Sequence, residues 1–303
     1  MLDPVEEVFS GRGWVAVYGV GYVGLGLVAV FLRHGLNVIG VDVNVKRLEA
    51  IRSLRLWFNE EAIKDAVESG FRNGHFRVTT DGVGASKESV VKVVTVPVYI
   101  DWNSKGVDYR ALEEASRCIG RGLKRGDLVI VESSVPPGTT EEVVKPILED
   151  VSGLRVEKDF YLAYSPERVY IGRVVRDIEE NYPKVVGGVG PRSLEVASSF
   201  YERIASKGVI RLSSARAAEF EKLVEGIYRD VNIALANELA LVCSKLNVDY
   251  YEIRRAANSQ PFCHLHLPGP GVGGYCIPVY PYFVMDKVHK SGSVMYLTLL
   301  ALS

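Results

Sequence analysis

A glycine turn set between a strand and a helix constrains this chain more than any other feature. Trp14–Tyr18 reads as a short buried strand, Gly19-Val20-Gly21-Tyr22-Val23-Gly24 follows it, and residues 22–34 have the composition of an apolar helix. The three glycines have separate tasks: Gly19 makes the tight turn, Gly21 lets backbone approach a ligand, and Gly24 lets the helix pack closely on the strand. The helix start presents unpaired N–H groups and the positive end of its dipole to one point, a setting for a pyrophosphate. The spacing by itself is a weak signal, because glycine turns are common; its place between strand and helix is what the mechanism requires. Asp42 ends the next strand about 20 residues on, where a carboxylate accepts hydrogen bonds from a ribose and repels the 2′-phosphate of NADP. Arg47, one turn into the following helix, tempers that preference. The expected cofactor is NAD, held by Gly19, Gly21, Gly24 and Asp42. In the competing reading the glycines only turn the chain and Asp42 caps a helix.

The strand-then-helix rhythm continues through the first two-thirds of the chain. Residues 37–41, 90–96, 128–132, 160–164 and 184–188 are short runs rich in Val and Ile, bounded by Gly, Pro, Asp or Ser. Continuous apolar runs suit strands buried on both faces. Helical stretches such as residues 109–123 separate several of them, so the expected class is α/β, with a Rossmann-like, doubly wound parallel sheet. The 36 basic and 37 acidic residues nearly cancel and form no run of like charge. That argues against nucleic acid and for a small-molecule partner. Residues 1–10 carry acidic groups ahead of any apolar stretch, and the apolar run 15–31 is broken by glycines, so neither a signal peptide nor a membrane span is expected. Cys118, Cys243, Cys263 and Cys276 lie far apart without CxxC pairing, which fits a reducing compartment and a cytoplasmic protein.

Composition changes after Ser213. Residues 217–246 run without proline and with a single glycine, and place Phe220, Leu223, Val224, Ile227, Val231, Ala234 and Leu235 at helical spacing. This predicts one long helix, apolar over more of its circumference than a surface helix needs, and hence a homodimer through it. A second helix is expected over 249–257, then a Pro- and Gly-rich loop over 261–281, then a final apolar helix from Tyr282 toward Ser303. The expected division is a dinucleotide-binding domain over 1–205 and a helical central domain over 206–303. Residues 294–302 are helix-like with no cap or turn signal, so a further C-terminal segment is expected.

Within the loop, Pro268-Gly-Pro-Gly-Val-Gly-Gly-Tyr-Cys-Ile-Pro278 puts Cys276 where glycines admit a ligand and where a nearby helix start would favour a thiolate. A lone cysteine is ordinarily buried and inert, so spacing alone leaves both readings open. Cys263 stands near His264 and His266, but no carboxylate or second cysteine lies at ligand spacing, and no metal site is expected.

Five blocks taken together carry a resemblance. They are Gly19-x-Gly21-Tyr-Val-Gly24, Glu132-Ser-Ser-Val-Pro-Pro-Gly-Thr139, Tyr164-Ser-Pro-Glu-Arg-Val169, Lys222-Leu-Val-Glu-Gly-x-Tyr-Arg-Asp230 with Asn237-Glu238, and Gly269-Pro-Gly-Val-Gly-Gly-Tyr-Cys-Ile-Pro278. In this order they resemble the UDP-sugar dehydrogenases, and the Ser-Pro-Glu-Arg-Val and Gly-Pro-Gly-Val-Gly-Gly segments look more like the UDP-N-acetylmannosamine branch than the UDP-glucose branch. The resemblance implies a four-electron oxidation of the sugar C6 alcohol, of the kind that makes sugar acids for polysaccharides. The aldehyde is trapped by a cysteine, a second hydride transfer gives a thioester, water hydrolyses it, and two NAD are consumed. By that resemblance Cys276 is the nucleophile, Lys222 supplies a cation or acid/base, Glu167 activates the water, and Ser134 offers a hydroxyl where the family often has Thr. Read without it, Lys222 is a solvated helix charge, Glu167 a turn carboxylate and Ser134 a loop hydroxyl. The resemblance further implies Tyr22, Val23, Asp42, Arg47, Thr95 and Ser134 for the cofactor, Arg168, Val169, Lys222, Arg229 and Gly271 for the sugar nucleotide, and dimerisation through the helical region.

The chain also departs from the family's pattern. Gly226 stands where the family's helix usually has Asn, Gln260-Pro261-Phe262 where the branch commonly has His-Pro-Arg before the glycine loop, Tyr275 where a His stands next to the cysteine, and Tyr280 where an Asp follows the cysteine by four residues. Charge-assisted contacts contribute about 1.5–3 kcal/mol each, so losing several weakens catalysis by several-hundred-fold or more. Family members continue into a second α/β domain that grips the UDP moiety, and this chain ends before it; a separately encoded fragment would restore it. Two readings therefore compete: a UDP-sugar 6-dehydrogenase, alone or with a C-terminal partner, and an NAD-binding dimeric remnant with weak or no catalysis. A two-electron hydroxyacid-type dehydrogenase is a third, and it leaves the cysteine loop unexplained.

Overall fold

A computed structural model describes residues 3–101 and 106–290; the helix-like end expected over 294–302 lies outside them. The chain divides into two units, Met1–Glu219 and Phe220–Ser303. The first opens with α1 (Pro4–Phe9), β1 (Trp14–Tyr18), α2 (Tyr22–Arg33), β2 (Asn37–Val41), α3 (Val45–Arg52), α4 (Glu61–Arg72), β3 (Phe76–Thr79), α5 (Gly82–Glu88) and β4 (Ser89–Val94). A small antiparallel pair follows, β5 (Tyr99–Asp101) with β6 (Gly106–Asp108), then α6 (Arg110–Gly122), β7 (Leu128–Val131), α7 (Lys145–Ser152) and β8 (Tyr161–Tyr164). The unit closes with α8 (Val174–Arg176), β9 (Lys184–Gly188), α9 (Pro191–Glu202) and β10 (Val209–Leu212).

Among the described residues, eight strands form one sheet in the order β10-β9-β8-β7-β4-β1-β2-β3. Successive residues Val15, Ala16 and Val17 of β1 and Leu128, Val129 and Ile130 of β7 are all fully buried, as expected of strands covered on both faces. The chain runs outward from β1 to β3, then returns to lay β4 on the other side of β1. That reversal puts a switch point at the carboxyl ends of β1 and β4, the place where open α/β sheets bind ligands.

The sheet is mostly parallel, as a Rossmann-like fold implies, with one antiparallel join toward an edge. β3, β2, β1, β4, β7 and β8 run parallel, but β9 pairs antiparallel with β8 and carries β10 with it. The connection from β8 to β9 holds only the three-residue α8 and a π-helical turn, Asp177–Asn181, rather than the full crossover helix that a parallel neighbour uses. The pairing of β10 with β9 also keeps residues beyond 205 in the first unit, which extends to Glu219.

The helix α10 (Ala215–Leu246) starts at the end of the first unit and continues as part of the second, which also holds α11 (Tyr250–Ala257) and α12 (Tyr280–Lys290). Asp249 caps α11 by accepting from the Tyr251 N–H at 2.9 Å. Along α10, Phe220, Val224, Tyr228, Leu235 and Leu241 are exposed. No described helix is long and apolar enough to cross a membrane.

Candidate functional site

At the switch point the glycine turn is pinned from both strands. Gly19 has φ +95°, a left-handed conformation that glycine tolerates, and its N–H donates to Val41 O at 2.8 Å. The Thr95 hydroxyl, at the end of β4, lies 2.6 Å from Gly19 O and 3.1 Å from Tyr18 O, and the Thr95 N–H donates to Tyr18 O. Gly21 is the N-cap of α2, with no side chain capping the helix start. A Cβ added at Gly21 would meet nothing within 4 Å, whereas one at Gly24 would sit 2.0 Å from Gly19 O and 2.6 Å from Thr95 Oγ1. Gly24 therefore permits close helix packing, and Gly21 leaves open space in front of free helix N–H groups. These residues fit the pyrophosphate of NAD.

Tyr22 and Val23 stand at the helix start, but the Tyr22 phenol turns away. Its hydroxyl donates to Glu60 Oε2 at 2.7 Å and accepts from the Gly172 N–H, and burial with Glu60 beside it pushes its pKa up to about 12. Asp42 is buried, and its Oδ2 accepts from the Val20 N–H at 3.1 Å and from Arg47 at 2.8 Å while Oδ1 accepts from the Asn44 N–H. Arg47 also lies over the Trp57 ring, 5.6 Å from its centroid. In this arrangement the Arg47 cation is engaged by Asp42.

After β7 the Ser133 hydroxyl donates to Val96 O at 2.6 Å, tying the ends of β7 and β4 together, and half-buried Ser134 follows. After β8, Glu167 is buried against the Lys184 ammonium. Lys184 also donates to Glu132 Oε2 at 3.0 Å, and Tyr201 donates to Glu132 Oε1. Arg168, expected to reach a sugar nucleotide, donates to Pro183 O and lies over the Tyr182 ring; Val169 beside it is half-buried. Elsewhere in the same unit, Glu219 is buried and accepts from Thr140 through both its N–H, at 2.7 Å, and its hydroxyl, at 2.6 Å, and also from the Gly138 N–H.

In the second unit, Lys222, Gly226 and Arg229 fall on one face of α10 by their i, i+4, i+7 spacing. A Cβ at Gly226 would lie 2.8 Å from Cys276 O, so this face meets the backbone of the cysteine loop. The Cys276 thiol is exposed. Since α12 begins at Tyr280, Cys276 lies outside its first turn. Tyr280 stacks on Phe283 with centroids 5.4 Å apart, which gives the residue at the expected Asp position a packing role. Asn237 accepts from the Gly269 N–H at 2.8 Å and anchors the glycine loop, in which Gly271 has φ +140°. Phe262 is 94% exposed. Burial and the nearby Arg229 and Arg254 cations lower the His266 pKa, and no group of three metal-ligating side chains occurs among the described residues.

Residues 14–205 match the NAD binding domain of the UDP-glucose/GDP-mannose dehydrogenase family, and residues 216–302 match its central domain. The chain belongs to the UDP-glucose/GDP-mannose dehydrogenase family. It is 36% identical over 289 residues to a UDP-N-acetyl-D-mannosamine dehydrogenase of Methanocaldococcus jannaschii, covering 94% of this chain and 64% of the relative. It is 38% identical over 276 residues to the enzyme so named from Pyrococcus horikoshii, covering 91% of this chain and 65% of the relative. The solved structure of the UDP-D-ManNAc dehydrogenase from P. horikoshii aligns with TM-score 0.88 at 34% identity, over 95% of this chain and 67% of that one. A UDP-glucose dehydrogenase from Pyrobaculum islandicum aligns with TM-score 0.87 at 25% identity, over 96% and 67%. The chain thus spans about two thirds of the length of the relatives it matches.

Within this dehydrogenase framework, the glycine turn, Thr95 and Asp42 come together at one sheet edge, and Glu167 comes to Lys184. Sequence reasoning missed Lys184, Tyr201 and Glu219 and gave Glu132 no role. A lysine opening the apolar run Lys-Val-Val-Gly-Gly was a usable signal for a buried pair, while nothing local marks Tyr201.

Proposed function

We propose that this chain is the NAD-binding and central part of a UDP-sugar 6-dehydrogenase that oxidises UDP-N-acetyl-D-mannosamine to the corresponding uronate. The observation that carries this reading is the open helix start at Gly21, beside Thr95 and Asp42, in a chain of this family. When bound, NAD supplies the hydride acceptor. The helix start holds its pyrophosphate, Asp42 its adenosine ribose, and Ser134 and Thr95 border its site. Cys276 adds to the C6 aldehyde, Lys222 stabilises the developing alkoxide, and Glu167 takes a proton from the water that opens the thioester. Arg168, Val169, Arg229 and Gly271 are assigned to the sugar nucleotide. A UDP-binding domain, on the same polypeptide or separately encoded, completes the assembly, and α10 supplies a homodimer face. The third reading, a two-electron hydroxyacid oxidation, gives Cys276 no task.

A second reading draws on Gly226. With the Cys276 carbonyl lying where a side chain at 226 would stand, the amide that the family presents there has no space, which favours an NAD-binding protein of weak activity. Counting NADH separates the two. The enzyme reading expects two NADH per UDP-N-acetyl-D-mannosamine, lost in Cys276→Ser; NAD-induced thermal stabilisation without NADH from any UDP-sugar supports the second.

A further inference from the structure

The strand register sets Lys184 opposite Glu167. β8 and β9 pair with Ala163 facing Gly188 and Tyr164 facing Gly187, and the same count carried past the end of β8 brings position 167 against position 184. There the Lys184 ammonium meets two carboxylates, Glu167 and Glu132, while Tyr201 holds the other Glu132 oxygen and turns its ring to the ammonium, 4.7 Å from the centroid. All four side chains are buried. Burial pushes the Glu132 pKa far above the carboxylate range, against the pull of Lys184 and with the help of Glu167. Burial also works against the Lys184 cation, but the two carboxylates together hold its pKa above the ordinary value.

A lysine buried only for packing needs one carboxylate, and apolar residues would fill the space at lower cost. Here the second carboxylate and Tyr201 fix the lysine, and the lysine fixes Glu167. The group lies at the carboxyl edge of the sheet, where ligands bind. It borders a cavity of about 10 Å³ lined in part by Glu167, Arg168, Tyr182 and Lys184, near the lower limit for one water molecule.

We propose that Lys184 is a positioning residue for thioester hydrolysis: it fixes the Glu167 carboxylate, and Glu132 and Tyr201 fix Lys184. This rests on the reading that Glu167 serves the water step. In that step the water oxygen bonds to the acyl carbon and Glu167 takes its proton. The carbon–sulfur bond then breaks, and the sugar carboxylate and the Cys276 thiol are released with one net proton.

The test compares wild type, Lys184→Met and Lys184→Arg in the full chain. Lys184→Met is expected to slow thioester hydrolysis by at least about tenfold, so that acyl-Cys276 accumulates, while the first NADH burst and the substrate KM change by less than about threefold. Lys184→Arg keeps a buried cation and slows the same step by a smaller factor; if Lys184→Met does not fold, this variant decides. Hydrolysis at the wild-type rate in either folded variant overturns the proposal, as does an equal loss of both oxidation steps. A carboxyl-¹³C resonance of Glu167 reports its surroundings without turnover. It is expected to shift in the lysine variants, and an unshifted resonance also overturns the proposal. Absence of NADH in wild type counts against the function reading, and the Glu167 resonance then decides the positioning role.

Discussion

Gly21→Ala separates cofactor binding from folding. In the free chain the added methyl has no neighbour within 4 Å, and the φ of −70° is one that alanine adopts without strain. Exchanging glycine for alanine at an N-cap loses some helix preference but restricts the unfolded chain, so stability should change by no more than about 1 kcal/mol. The methyl would fill the space through which a pyrophosphate reaches the N–H groups of the helix start. Losing one hydrogen bond to a charged phosphate costs about 1.5–3 kcal/mol, which is about 10- to 150-fold in Kd. Isothermal titration with NAD, beside thermal melts of both proteins without ligand, measures the two quantities separately. A variant that melts with wild type yet binds NAD within about twofold of it would refute the placement of the pyrophosphate at this turn.

Other variants probe neighbouring parts of the structure. Gly24→Ala should behave in the opposite way, losing about 1–3 kcal/mol or more of stability before any ligand is added, because its methyl would collide with the Gly19 carbonyl; urea melts measure this. Burial raises the Glu219 pKa from its ordinary 4.5 to about 7, against the donors from Thr140 and Gly138. Between those values the folded chain holds the additional proton. The contribution is therefore whole below pH 4.5 and is lost as pH rises through 7. Glu219→Gln should accordingly flatten part of the fall in Tm from about pH 5 to about pH 8. The buried pair of Lys92 and Asp127 predicts that Lys92→Met costs about 3–5 kcal/mol in a denaturant melt. Adding Asp127→Asn should recover much of that loss, since the amide oxygen still accepts from the Lys124 N–H. Gly226→Asn should displace the Cys276 loop and change the rate of thiol labelling at Cys276; an unchanged rate together with unchanged stability would mean that the close approach is not maintained in solution.

The cofactor edge was legible because its signals are local. Gly19, Gly21 and Gly24 sit at fixed offsets between a strand and a helix, and Asp42 follows the next strand, so spacing read together with the flanking strand and helix carries the geometry. The strands of the sheet centre were legible as apolar runs, whereas β3 was not, since its half-buried Arg77 and Thr79 dilute the pattern. The direction of β9 was missed because an apolar run encodes burial and not orientation; the missing crossover helix was the informative feature. The charges around Glu167 were illegible for a different reason. Glu132, Lys184 and Tyr201 come from three separate elements, and only the sheet order and register bring them together. Gly226 was noted as a lost amide, but its contact with the Cys276 carbonyl depends on how the loop lies on the helix, which spacing does not reveal.

The chemistry assigned to Cys276 is tested most directly by trapping its product. The protein is mixed with NAD and UDP-N-acetyl-D-mannosamine, quenched in acid, and its intact mass and Cys276 peptide are measured. The account predicts an acyl adduct of the nucleotide sugar on Cys276, formed with NADH and absent from Cys276→Ser. NADH production with Cys276 unmodified at every quench time, and undiminished in Cys276→Ser, would contradict it.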